Sequence, residues 1–184
     1  MLAIRAQVAR ARILLAAAAV VAGALLLACG GGADGGGLPV EEYFHRLVAL
    51  DEETELASDA IQEQFEAELA QAANEQEGLE LYRLSVGAQI ANFEGFVDQL
   101  EALDPPAKIR DEHKDGLADL RNYIAIFQDI QEEMLGVGSL TELQELLRRD
   151  DFTQADQRAT AFCDELVALA GEDDIQINLN CSGE

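Results

Sequence analysis

The chain has 184 residues, of which 36 are acidic and 12 basic, and its formal net charge is −24. This charge excludes nucleic-acid binding as a default function, because a phosphate backbone needs basic patches, and it disfavours adsorption to anionic lipid head groups. A hydrophobic fraction of 49% excludes wholesale disorder. The length is enough for one domain with a real core.

The N-terminus has the layout of a secretory signal peptide. Residues 1–12 carry three arginines and no acidic residue, and residues 13–28 carry no charge. This apolar run of 16 residues is short for a membrane-spanning helix, which needs about 20. It ends in Leu26-Leu27-Ala28-Cys29, which resembles the lipobox of bacterial lipoproteins. The resemblance implies cleavage before Cys29 and a thioether-linked diacylglycerol on its sulfur. A plain signal peptide and an uncleaved anchor are the alternatives.

Three segments follow from this interpretation. Residues 1–28 form the signal peptide, residues 29–37 comprise the lipidated Cys29 and a glycine-rich tether, and residues 38–184 form the folded domain. The expected location is the extracytoplasmic side of the cell membrane, periplasmic or at the cell surface. The lipid anchor on Cys29 is then the contact with the membrane.

Apolar residues at steps of three and four predict four main helices. The four stripes run from Tyr43 to Ala72, from Leu79 to Leu103, from Ile109 to Met134 and from Phe152 to Leu169. Ser139 and Glu142 have the spacing of a capping box, which predicts a short extra helix through about Arg149. Short links between amphipathic helices favour an all-α fold, an antiparallel up-and-down four-helix bundle.

The first two helices are predicted to form a hairpin. The first helix is expected to end near Gln76, with Gly78 as its C-terminal stop. A single long helix is the alternative, because Ala72 and Leu79 stay in phase across that point. The hairpin is favoured, since a helix spanning residues 39–103 would be about 100 Å long at 1.5 Å per residue.

With Cys29 lipidated, Cys163 and Cys181 remain as an even pair in an exported protein, which predicts a disulfide. Residues 175–181 alternate between apolar and polar, as an extended tail on a surface does. The bond would staple this tail to the last helix and stabilise the fold by about 3 kcal/mol. A redox-active or metal-binding thiol pair is the alternative, and the absence of a C-x-x-C motif disfavours it.

The two histidines are the candidate metal ligands. His113 falls on the apolar stripe of the third helix, where a bundle can hold a metal or haem; the alternative is a partly buried histidine bonded to a neighbour. Glu42 and His45 have the Glu-x-x-His spacing of di-iron bundles. That site needs a second such motif, and Arg110 stands where its glutamate would be. No cofactor is therefore predicted.

The remaining candidate functional residues are acidic. Clusters at residues 51–55, 111–119 and 172–174 are interpreted as a solvated face, with a basic protein partner or a cation as the alternative. Hydrolase and phosphate-binding motifs are missing. The expected function is a non-catalytic binding or interaction module, and the alternative is a metal- or cofactor-binding bundle that uses His113.

Overall fold

The computed structural model describes residues 36–181 of the chain. The predicted signal peptide, Cys29 and most of the predicted tether lie outside the described residues, as do residues 182–184. Helix α1 is Val40–Leu69, α2 is Glu75–Glu101, α3 is Arg110–Glu133, α4 is Leu140–Leu146 and α5 is Asp150–Glu172. No helix in residues 36–181 is long and apolar enough to cross a membrane.

The predicted all-α, antiparallel bundle is confirmed. Helices α1 and α2, α2 and α3, and α3 and α5 pack extensively as neighbours. Every helix contributes to one core, whose largest fully buried side chains are Tyr43, Phe44, Leu47, Leu79, Leu100, Ile109, Ile130 and Met134. Helices α1 and α5 are not among the extensively packed pairs of the described chain. The bundle is therefore open along one seam.

The hairpin between α1 and α2 is confirmed, but the predicted position of its turn is wrong. Helix α1 ends at Leu69, and Asn74 caps α2 by accepting the Glu77 N–H at 3.0 Å. The Glu77 carboxylate reaches back to the N–H of Ala73, one residue before the cap, at 2.7 Å, in the manner of a capping box. Gly78 thus lies buried inside the first turns of α2 rather than after a helix end. The side-chain cap determined the turn, and the glycine did not.

The predicted capping box of the short helix is confirmed. The Ser139 hydroxyl accepts the N–H of Glu142 at 3.3 Å, and the Glu142 carboxylate accepts the N–H of Gly138 at 2.7 Å. Helix α4 ends at Leu146, before the predicted end at Arg149. Arg149 instead pairs with acidic side chains on either side of it in sequence.

A tight turn at the end of α5 sends the chain back along the open seam. Asp174 adopts a left-handed φ of 59°, and the N–H of Ile175 donates to the carbonyl of Ala170 at 3.0 Å. These are the features of a Schellman motif. We call residues 175–181 the strap. Its apolar side chains, Ile175, Ile177 and Leu179, pack against the core, whereas the intervening polar side chains are exposed.

The predicted disulfide is confirmed and fixes the end of the strap. Cys163 of α5 and Cys181 are bonded, with Cα atoms 5.4 Å apart. On the other side of the seam, Asn180 donates from its backbone N–H to Asp51 at 3.2 Å and from its side chain to Glu55 at 3.0 Å. The strap therefore joins α5 to α1, two helices that lack extensive packing with each other.

The domain begins at the last glycines of the predicted tether. The carbonyl of Gly36 accepts a hydrogen bond from Arg110 at 2.6 Å. Gly37 has a φ of 134° and lies so close to the Pro105 carbonyl that a Cβ atom would clash there. The Leu38 N–H then donates to the Asp104 carbonyl at 2.8 Å. The chain thus enters the bundle beside the loop between α2 and α3.

Candidate functional site

A partly open cavity of about 260 Å³ lies between the helices of the bundle and the end of the strap. Helices α1, α2, α3 and α5 and the end of the strap all contribute to its lining. Four aromatic side chains and two carboxylates contribute to the lining, namely Phe93, Phe96, Tyr123, Phe162, Asp51 and Asp156, and most of the remaining lining side chains are apolar. We call this cavity the aromatic pocket. It exists because the strap, rather than direct packing of α1 on α5, closes the seam.

Tyr123 connects the pocket to a cluster of rings between α2, α3 and α5. Its ring lies 5.9 Å from that of Phe93 in an edge-to-face arrangement, and it stacks on Phe127 and Phe152 with centroids 5.7 and 5.6 Å away. Tyr123 and Phe127 are four residues apart and share a helix face. Burial, together with the negative charge of Asp156, raises the pKa of the Tyr123 hydroxyl to about 12. The hydroxyl is therefore a neutral donor at physiological pH.

Asp51 is the half-buried carboxylate of the pocket. Burial raises its pKa, and the charges of Glu55 and Glu52 add to that effect, while the hydrogen bond from the Asn180 N–H opposes it. No lysine or arginine in the described part of the chain forms an ion pair with Asp51. A carboxylate in this position favours a positively charged neighbour.

A second, wider cleft of about 870 Å³ lies on the outside of the same strap. Four carboxylates and one histidine contribute to its lining, namely Asp51, Glu52, Glu55, Asp164 and His45. We call it the acidic cleft. Asp51, Thr160 and the strap residues from Leu179 to Cys181 line both this cleft and the aromatic pocket. The end of the strap thus borders an acidic outer surface and an apolar interior.

The candidate metal ligands His113, His45 and Glu42 do not form a common site. His113 is only 4% exposed, its Nδ1 lies 2.9 Å from the Tyr43 hydroxyl, and burial lowers its pKa. His45 lies on the exposed side of α1, where Glu42 pairs with Arg46 at 2.5 Å. Within residues 36–181, no three His, Cys, Asp or Glu side chains are grouped so that they could hold a metal ion. His113 is a buried residue bonded to its neighbour.

The acidic clusters of the sequence are partly neutralised by ion pairs. Asp119 of α3 pairs with Arg158 of α5 at 3.1 Å, and Lys108 pairs with Asp173 beyond the end of α5. The residue 51–55 cluster differs, since none of its carboxylates takes part in the ion pairs found in residues 36–181. Of the three acidic clusters, the one that takes part in none of these ion pairs therefore lies beside the strap.

Sequence reasoning did not find the aromatic pocket. Phe93 and Phe162 lie on the predicted apolar stripes of the second and the last main helix, and a stripe does not reveal which of its members line a cavity. The available signal was the accumulation of rings on three different stripes, together with a tail that alternates apolar and polar residues. No protein-family model, curated protein or solved structure matches this chain.

Proposed function

We propose that the protein is a lipid-anchored binding protein of the cell envelope, with the aromatic pocket as its ligand site. The observation that carries the proposal is the position of this pocket. All four main helices line it, and the strap that closes it is bonded to two of them. Pockets with mostly apolar walls and a few polar groups are typical of small-molecule sites.

Binding is favoured over catalysis by the chemistry of the lining. Its polar side chains are two aspartates, Tyr123, Thr160 and Asn180, and no histidine or lysine is present among its described residues. Thr160 is the aliphatic hydroxyl of the set, and a nucleophile of that kind needs an adjacent base of suitable pKa. The acidic cleft outside the strap is the surface that we assign to a basic partner, with association that weakens as salt increases.

The anchoring part of the proposal rests on Leu26-Leu27-Ala28-Cys29 at the end of an apolar run. Cys29→Ala should release the protein from membranes and abolish incorporation of labelled palmitate. Gly31→Ala is the matched control, because it changes the neighbouring sequence and keeps the cysteine. Membrane retention of the Cys29→Ala protein without label would show that another segment holds it.

The binding part is tested by filling the pocket. Ala159 lines the pocket from α5, whereas Ala161 on the same helix is exposed and does not line it. Titration of the full-length chain in a nonionic detergent with uncharged 2-phenylethanol, followed by amide chemical shifts, should perturb Asn180. Ala159→Leu should abolish the perturbation, and Ala161→Leu should preserve it. An unperturbed wild-type spectrum, or equal binding by both variants, would refute the pocket as the ligand site.

A further inference from the structure

We propose that the aromatic pocket selects a small organic cation, a protonated amine or quaternary ammonium that carries an apolar body. This inference rests on the proposed function and names its ligand class. It combines the two chemical features of the lining, aromatic rings and carboxylates without a cationic partner.

The charge of the lining has one sign. Asp51 and Asp156 are its ionisable acids, and no lysine, arginine or histidine is among its described residues. Neither aspartate takes part in the ion pairs of residues 36–181. An anionic ligand would be repelled by these two charges, whereas a cation would be attracted to the half-buried Asp51 and the exposed Asp156.

The rings provide the second feature. Phe93, Phe96, Tyr123 and Phe162 line the pocket from three helices. A cation close to the face of such a ring is attracted by the electron density of the ring, and the attraction grows when water is excluded. Hydrated inorganic cations do not gain from these walls, because they need oxygen ligands in their coordination shell. The rings therefore favour an organic cation over a metal ion.

Two positions show that the acid and the aromatic features meet. The negative charge of Asp156 acts on the hydroxyl of Tyr123, so this carboxylate lies near one of the rings. Asp51, on the opposite helix, is held by the N–H of Asn180 at 3.2 Å. A bound cation would thus lie between α1 and α5, at the seam that the strap closes.

The volume of the cavity indicates how much of a ligand it can hold. Its volume of about 260 Å³ corresponds to roughly nine water molecules at about 30 Å³ each. A ligand of about that number of non-hydrogen atoms fills it, which is the size of one aromatic ring with a short charged chain.

A charge series with one ring tests the proposal on the full-length chain in a nonionic detergent. The probes are 2-phenylethylammonium, 2-phenylethanol and phenylacetate, which carry charges of about +1, 0 and −1 at neutral pH. We expect the ammonium to bind about tenfold more tightly than the alcohol, with shifts at the amides of Asn180 and Ala159, and phenylacetate to bind more weakly than either.

Charge-neutralising variants locate the selectivity. Asp51→Asn and Asp156→Asn should each lower the preference for the ammonium over the alcohol, because each removes one of the two negative charges of the lining. Asp164→Asn is the matched control, since Asp164 lies on α5 and lines the acidic cleft but not the pocket. It should keep the full preference.

The outcomes separate this inference from the proposed function. Equal binding of the alcohol and the ammonium would overturn cation selectivity and leave the pocket as a binding site. A preference that Asp164→Asn removes as fully as Asp51→Asn would place the cation in the acidic cleft and overturn the inference. Binding of none of the three probes would overturn both proposals.

Discussion

The two halves of α1 differ in how the rest of the molecule covers them. Residues 40–55 contain the fully buried Tyr43, Phe44 and Leu47, and the strap bonds to their last turn. Residues 56–69 contain no buried side chain, although the apolar stripe continues through Ile61 and Phe65. The same periodicity therefore has two structural outcomes within one helix.

The partners explain the difference. The first half faces α3 as well as α2, since Tyr43 bonds to His113, and the strap covers its remaining side. The second half contacts α2 through half-buried pairs, such as Ser58 with Gln89 at 3.1 Å and Phe65 with Tyr82 at 5.3 Å between ring centroids. An apolar stripe indicates which face of a helix is buried, but the number of neighbouring elements determines how deeply that face is buried.

The largest expected difference comes from replacing one phenylalanine in each half of α1 by alanine. Phe44→Ala removes a ring that is 0% exposed and should destabilise the fold by about 3–5 kcal/mol. Phe65→Ala removes a half-buried ring and should cost about 1 kcal/mol. Urea unfolding of both variants and the wild type measures the difference. Equal losses would mean that the second half of α1 is as firmly packed as the first half.

The second test opens the disulfide that holds the end of the strap. Cys163→Ser combined with Cys181→Ser opens a loop with a sequence separation of 18 residues and should cost about 3 kcal/mol. Reduction of the disulfide in the wild-type protein should shift its urea midpoint as far as the double substitution does. An unchanged midpoint would show that the apolar contacts of the strap and its bonds to α1 hold it without the disulfide.

His113, which bonds to Tyr43 in the first half of α1, makes the stability of the fold depend on pH. Burial lowers its pKa from 6.5, so the folded state prefers the neutral ring. Its contribution to stability is fully present above about pH 6.5 and is lost as the pH falls through the lower pKa of the folded state. Thermal unfolding at pH 7.0 and at about pH 5.5 should show this loss in the wild type.

His113→Leu should flatten that pH dependence. It should also cost about 1–3 kcal/mol at neutral pH, because the hydroxyl of Tyr43 loses its partner. His45→Leu is the matched control, since His45 is exposed on the same bundle. If both variants kept the pH dependence of the wild type, another group would be its source.

Local signals in the sequence predicted most of this fold. Four stripes, the capping box of Ser139 and the pairing of Cys163 with Cys181 are each specified by nearby residues or by simple counting, and all are present. The aromatic pocket was not predictable in this way. It depends on the gap between α1 and α5 and on the path of the strap, which are properties of how distant segments pack.

The turn between α1 and α2 shows the same limit at the scale of one residue. Gly78 and Asn74 both have the chemistry of a helix boundary, and single-residue preference favoured the glycine. What decided between them was a pair of bonds, from Glu77 to Asn74 and from Ala73 to Glu77. A cap that is completed by two partners specifies a boundary better than a flexible residue does.

Two alanine substitutions distinguish these positions with the smallest expected effects. Asn74→Ala should destabilise the protein by about 1 kcal/mol, because the first turn of α2 loses its side-chain acceptor. Gly78→Ala should be neutral or stabilising by about 0.5–1 kcal/mol, since a Cβ atom there would meet only the side chain of Leu69 at 3.4 Å. If Gly78→Ala were the more damaging change, the helix boundary would lie at the glycine, and α1 would extend beyond Leu69.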